Sequence, residues 1–124
     1  MKSNFVICTM IGILTIAVCC FAPGKALADP PQDIALSYDP GTQTLTVNIT
    51  HKSTFTGLHY VKQVEIRKSN QPVSRNEYKS QTGKTTFSYS YNVPANENDL
   101  LEVTAACNIQ GQKTATLKVE SKKN

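Results

Sequence analysis

Tryptophan is absent from the chain, methionine occurs twice, and charged residues fill only 18% of its 124 positions. Without tryptophan there is no Cys–Trp–Cys signature, so an antibody-type domain is not implied. A formal net charge of +4 is too mild for an electrostatic grip on nucleic acid, which shows as a clustered basic stripe. Long repeats, heptads and low-complexity tracts are missing too, which excludes solenoids, coiled coils and disorder as the main organisation. A chain of this length is expected to form one domain.

What is present begins with an export signal. Residues 1–4 carry one positive charge, at Lys2, and Phe5 to Ala22 is an apolar run without a charged side chain. Ala26-Leu27-Ala28 then supplies small residues at both positions that a signal peptidase reads, followed by Asp29-Pro30-Pro31. Basic, apolar and small-x-small segments in that order predict a signal peptide over 1–28, cleaved after Ala28, and a periplasmic or secreted protein. An uncleaved anchor is the rival, because the run is near the minimum for a membrane span. A lipoprotein site at Cys19 or Cys20 is disfavoured by bulky Val18. Cleavage removes Cys8, Cys19 and Cys20, leaves Cys107 as the single thiol, and lowers the formal charge from +4 to +2 by loss of Lys2 and Lys25. The mature form is then not membrane-spanning. One unpaired cysteine is unusual in an oxidising compartment. It is either a small buried apolar residue, a metal ligand or a reactive thiol.

Residues 29–124 alternate with period two, the pattern of half-buried strands. Strands are expected at Ile34–Tyr38, Thr44–Thr50, His59–Lys68, Val73–Tyr78, Thr85–Tyr91, Leu101–Cys107 and Thr114–Val119. Leu45, Val47 and Ile49 face inward, as do Tyr60, Val64 and Ile66, and Phe87, Tyr89 and Tyr91. Asp39-Pro40-Gly41 is a turn, Asn70-Gln71-Pro72 breaks the chain, and Lys122-Lys123-Asn124 is a frayed tail. Thr82-Gly83-Lys84-Thr85 lacks the first glycine and the following helix of a phosphate loop and reads as a hairpin turn. Asn48-Ile49-Thr50 matches a glycosylation sequon but lies mid-strand. Seven short strands without a helical period predict an all-β, seven-stranded immunoglobulin-like sandwich.

In such a sandwich the loop between strands two and three lies at the same end as the loop between strands six and seven. His51 and His59, the only histidines of the chain, flank the first of these loops, and Cys107 opens the second. Topology therefore predicts that the three converge. Two imidazoles and a thiolate suit a first-row transition metal. No general-base pair with an orienting acid is suggested by spacing, so a Ser-His-Asp hydrolase is not supported.

These residues also carry a family likeness. His51-Lys-Ser-Thr-Phe-Thr-Gly-Leu-His59-Tyr60-Val61, leading into Val64-Glu65-Ile66, resembles the His-Pro…His-Tyr-Ile…Ile-Glu segment of superoxide reductases, the family of neelaredoxin and the desulfoferrodoxin iron-binding domain. Cys107-Asn108-Ile109-Gln110-Gly111 resembles the family's Cys-Asn-x-His-Gly segment. The resemblance runs from about Ile34 to Val119 and implies an immunoglobulin-like fold holding a mononuclear, non-haem ferrous iron. In that family four histidines and an axial cysteine ligate the iron, and superoxide is reduced to peroxide. Carried over, His51 and His59 match two of the histidines and Cys107 the thiolate, whose electron donation has a parallel in thiolate-ligated haem. Gln110 stands where the fourth histidine falls and is expected to offer its carbonyl oxygen. The first histidine falls near Pro31 to Ile34, where Asp33 offers a carboxylate. The family's glutamate–lysine pair is missing, and so is the amino-terminal iron–sulfur module of desulfoferrodoxin.

The resemblance implies a superoxide-reductase-like oxidoreductase with a small anion such as superoxide as substrate and a redox partner protein. The alternative is a non-catalytic periplasmic binding or carrier module that keeps the sandwich and binds no metal. Copper is a third reading, from the His, Cys and Gln composition of a blue-copper-like set. It is opposed by chain order, since both histidines precede the cysteine.

Overall fold

A computed structural model describes residues 29–121. The expected signal segment, with Cys8, Cys19 and Cys20, and the expected frayed tail lie outside the described residues. Seven strands run in chain order: β1 Asp33–Asp39, β2 Thr44–Thr50, β3 Val61–Lys68, β4 Gln71–Glu77, β5 Thr86–Asn92, β6 Leu100–Cys107 and β7 Gln112–Lys118. They form two antiparallel sheets, one ordered β1-β2-β5 and the other β4-β3-β6-β7. No helix among the described residues is long and apolar enough to cross a membrane.

Alternation explains why the two sheets share one core. In β2, Leu45, Val47 and Ile49 are fully buried between half-exposed neighbours, and β6 buries Leu101, Val103 and Ala105 in the same way. Period-two side chains on facing sheets interdigitate into one apolar layer. Ile34, Phe87 and Val93 complete it from the β1-β2-β5 side and Val61, Val64 and Ile66 from the other. β1 lies beside β7 along one flank. At Tyr78 and β5, Tyr78 stacks on Tyr89 at 4.3 Å, and the Tyr78 and Tyr91 hydroxyls meet at 2.6 Å.

Three expectations need correction. The third strand begins at Val61, not His59, and Tyr60 is not an inward residue of it. The register of β3 against β6 shifts between Val61 and Gln63, so Lys62 is an extra residue that stays exposed while Val61 takes the core position. A bulge reverses the facing of every residue before it, which strict alternation cannot anticipate. The break expected at Asn70-Gln71-Pro72 is a tight turn at Ser69 and Asn70, both at positive φ (48° and 67°), with Pro72 already inside β4. Positive φ at two central residues matches the twist of a two-residue hairpin, and an edge strand tolerates proline. Finally, residues 82–85 are not a hairpin turn. β4 pairs with β3 and β5 with β2, so residues 78–85 carry the chain from one sheet to the other.

This connectivity sorts the loops by end. The segments 29–32, 51–60, 78–85 and 108–111 gather at one end of the sheets, and 40–43, 69–70 and 93–99 at the other.

Candidate metal centre

His51 follows the last residue of β2, and its backbone is held by a hydrogen bond from its N–H to Thr85 O at 2.8 Å. Two residues on, Ser53 N–H donates to Lys84 O at 2.8 Å, so the 51–53 and 84–85 segments run side by side. The chain then turns through Phe55–Leu58, where the N–H groups of Leu58 and His59 both donate to Phe55 O, at 2.9 and 3.0 Å. The buried hydroxyl of Ser53 donates to His59 O and fixes the loop's return. Cys107 ends β6 opposite Val61. Its loop is tied to the first by Asn108, which accepts from Tyr60 N–H at 2.8 Å and donates to Leu58 O at 3.0 Å.

These constraints bring the three expected ligands together. One donor atom from each of His51, His59 and Cys107 lies within 4.8 Å of the others. An ion bonded at about 2.0–2.3 Å to each would draw them slightly closer. The His51 and His59 rings meet edge to face, with centroids 4.5 Å apart. His51 is 1% exposed and Cys107 4%. His59 Nε2 is buried and has no hydrogen-bond partner among the described residues. A buried nitrogen without a partner costs about 1–3 kcal/mol unless something binds it. Ile109 N–H donates to Cys107 Sγ at 3.4 Å, the kind of donor that suits a thiolate.

The other two expected ligands fare differently. Asp33 is exposed at the start of β1, and its carboxylate is not in the His51–His59–Cys107 group. Gln110 is exposed on the turn between β6 and β7. The buried glutamine of the site is instead Gln81. Its Nε2 donates to His51 O at 2.8 Å and Gly83 O at 2.7 Å. Those two carbonyls fix the amide's orientation, so Oε1 is the atom that faces His51 Nδ1 at 2.7 Å and Val61 N–H at 3.3 Å. An acceptor at Nδ1 favours the proton there and makes Nε2, which the Asp29 carbonyl oxygen also meets at 3.0 Å, the nitrogen available to ligate. Nothing in the sequence marked Gln81, which sits just before the Thr82–Thr85 segment expected to be a turn.

An open cleft reaches the site from solvent and is lined by Asp29, Lys52, Ser53, Thr54, His59, Lys84 and Thr85. Lys52 and Lys84 were also missed. The signal available for Lys52 was its place directly after His51. Around the same loops Phe55, Leu58 and Ile109 are exposed apolar side chains. No family model matches the chain and no curated protein is similar to it, so the site is read on its own geometry.

Proposed function

We propose that the chain is an exported, desulfoferrodoxin-type iron protein with an immunoglobulin-like arrangement of its two sheets, in which His51, His59 and Cys107 hold a mononuclear ferrous ion. The observation that carries this reading is the convergence of the three donors, one of them a buried nitrogen with no other partner among the described residues. An iron held by these three residues would supply the one-electron reduction of superoxide, which with two protons gives hydrogen peroxide. A redox partner protein returns the electron. The chain's own residues do the rest. Gln81 orients His51, Ile109 N–H supports the thiolate, and Lys52 and Lys84 put positive charge and exchangeable protons along the cleft that a small anion enters. These lysines stand in for the family's missing glutamate–lysine pair.

Elemental analysis of protein purified without oxygen tests the reading. About one iron per chain is expected, with a thiolate-to-iron charge-transfer band on oxidation and loss of both in Cys107→Ser. Protein that takes up no iron on reconstitution, or a Cys107→Ser variant that keeps its iron, overturns it.

A second reading is favoured by the exposed side chains of Phe55, Leu58 and Ile109, at 67%, 72% and 56% exposure on two loops joined through Asn108. Contiguous exposed apolar residues mark a surface for a partner. On this reading the domain is a metal-free binding or carrier module, and Phe55→Ser with Leu58→Ser abolishes partner capture by protein that contains no metal. Capture that survives both substitutions counts against it.

A further inference from the structure

Connections at the two ends of the sheets differ in charge and in exposed apolar surface. The segments 40–43, 69–70 and 93–99 contain two carboxylates, Glu97 and Asp99, and no lysine or arginine. The segments 29–32, 51–60, 78–85 and 108–111 contain one carboxylate, Asp29, and three lysines, Lys52, Lys79 and Lys84. All three lysines are exposed, and their ammonium groups make no hydrogen bond or ion pair among the described residues. The same end carries Leu58, Phe55 and Ile109, the most exposed large apolar side chains of the described residues.

These apolar side chains stand on projecting turns. Phe55 and Leu58 belong to the turn closed on Phe55 O, and a Cβ on Gly57 between them would meet no atom beyond its chain neighbours within 4 Å. Ile109 is on the adjacent turn, which Asn108 ties to Leu58 O at 3.0 Å. The lysines are fastened to the same loop, by Gln81 N–H on Thr56 O at 3.1 Å and Ser53 N–H on Lys84 O at 2.8 Å. A stable protein interface takes about 20–30 residues a side around a packed apolar centre. Three apolar side chains on turn tips beside unpaired lysines fit a lipid surface better. The tips enter between headgroups, and the ammonium groups meet anionic phosphates. Apolar insertion alone gives marginal membrane binding, and a basic patch beside it makes the binding stable.

We propose that this end of the two sheets docks on an anionic bilayer surface, with Phe55, Leu58 and Ile109 inserted and Lys52, Lys79 and Lys84 against the lipid phosphates. The acidic far end then faces water. The cleft that reaches His59 opens at the docking end, so docking holds it at the lipid surface. Docking of this kind needs no bound metal.

The lack of tryptophan allows a direct test. In the full chain, Leu58→Trp places a single indole on the tip, and Pro40→Trp places one on an exposed turn at the far end. Mixed phosphatidylglycerol and phosphatidylcholine vesicles with brominated acyl chains quench an indole that enters the hydrocarbon. Quenching of Leu58→Trp is expected to be at least about threefold stronger than that of Pro40→Trp, and to fall away on phosphatidylcholine alone. The apolar leader is common to both variants and cannot produce the difference. Adding Lys52→Gln and Lys84→Gln to Leu58→Trp is expected to weaken vesicle affinity by about tenfold or more. Salt at about 1 M, which cuts the screening length to about 3 Å, is expected to do the same. Equal quenching of the two variants, or the same quenching on phosphatidylcholine alone, overturns the proposal. So does the absence of quenching in a Leu58→Trp chain that circular dichroism shows to be folded; capture of a protein lost in Phe55→Ser then assigns the face to a protein partner. If Leu58→Trp does not fold, Ile109→Trp on the adjacent turn carries the same expectations.

Discussion

At the end of the sheets carrying the 40–43, 69–70 and 93–99 connections, polar side chains close turns against exposed main chain. Asp39 accepts from Gly41 N–H at 2.8 Å, Asp99 from Asn96 N–H at 2.8 Å, and Arg67 donates to Asn70 O at 2.8 Å. At the opposite end the polar side chains are buried: His51, Ser53 and Gln81 are the buried polar residues of the described chain. Turn-closing bonds at a surface replace water one for one and are worth little. Buried polar groups must be satisfied, and a group that is not satisfied by protein points to a ligand. The difference separates structure from function within one small domain. Arg67 Nε at the remote end and Tyr89 Oη are also buried without a partner among the described residues, but of these atoms only His59 Nε2 lies beside two further metal-type donors, His51 and Cys107.

The largest expected effect follows from Gln81. Gln81→Leu leaves His51 Nδ1, His51 O and Gly83 O without their partner. Losing several buried bonds at once is expected to lower stability by about 3 kcal/mol or more in denaturant unfolding. Asp99→Ala at the remote end is expected to cost only about 0.5–1 kcal/mol. Similar losses for the two variants would break the comparison between the ends.

His59→Ala sharpens it from the other side. Because His59 Nε2 makes no hydrogen bond, removing the ring sacrifices packing on His51 and nothing else at that atom. Metal-free stability is expected to fall by about 1 kcal/mol or less, while metal affinity drops at least about a hundredfold with one ligand gone. A metal affinity left intact would show that the nitrogen is merely unsatisfied.

Much of this was legible beforehand. Thr44–Thr50 has the bounds its alternation predicts, and the convergence of His51, His59 and Cys107 follows from strand order alone. What stayed hidden was non-periodic or non-local. The Lys62 bulge shifts one residue in a regular pattern. Gln81 acts through a fold-back that joins it to a residue thirty positions earlier. The Asp29 contact is made by a main-chain atom, which carries no residue-type signal. Gln110 stands where the family resemblance puts the fourth histidine, yet its side chain is exposed.

The cluster of Tyr78, Tyr89 and Tyr91 offers an intermediate case, in which the partly buried Tyr78 and Tyr91 hydroxyls pair with each other. Tyr91 has its pKa raised above the ordinary 10.0, first by burial, then by its hydrogen bond with Tyr78 and by the Tyr78 and Tyr89 charges. Tyr89 is raised by burial and then by Tyr78. The folded state thus holds these protons more tightly than the unfolded chain. Their contribution is fully present below pH 10.0 and is lost as the pH rises beyond it. Ultraviolet titration is expected to show some of the five tyrosines ionising late, together with unfolding, and Tyr91→Phe to remove one late titration. Uniform ionisation of all five near the ordinary value would show the tyrosine cluster to be open to water.

The smallest effect belongs to the turn at Ser69 and Asn70, in the remote region. Both residues sit at positive φ, and Ser69 N–H donates to Leu100 O at 2.8 Å. Serine gains nothing from that conformation, whereas asparagine tolerates it and glycine adopts it freely. The pair Ser69→Asn with Asn70→Gly recreates the preferred sequence of a two-residue hairpin without touching the Leu100 bond. The added flexibility of glycine in the unfolded chain opposes the gain, so the net rise is expected to be about 0.5 kcal/mol and no more than about 1 kcal/mol. Metal content should not change, because the turn is at the far end of β3 from His59. A rise in stability that also altered metal uptake would mean the two ends are coupled through β3 and the bulge at Lys62, and the division of labour between them would not hold.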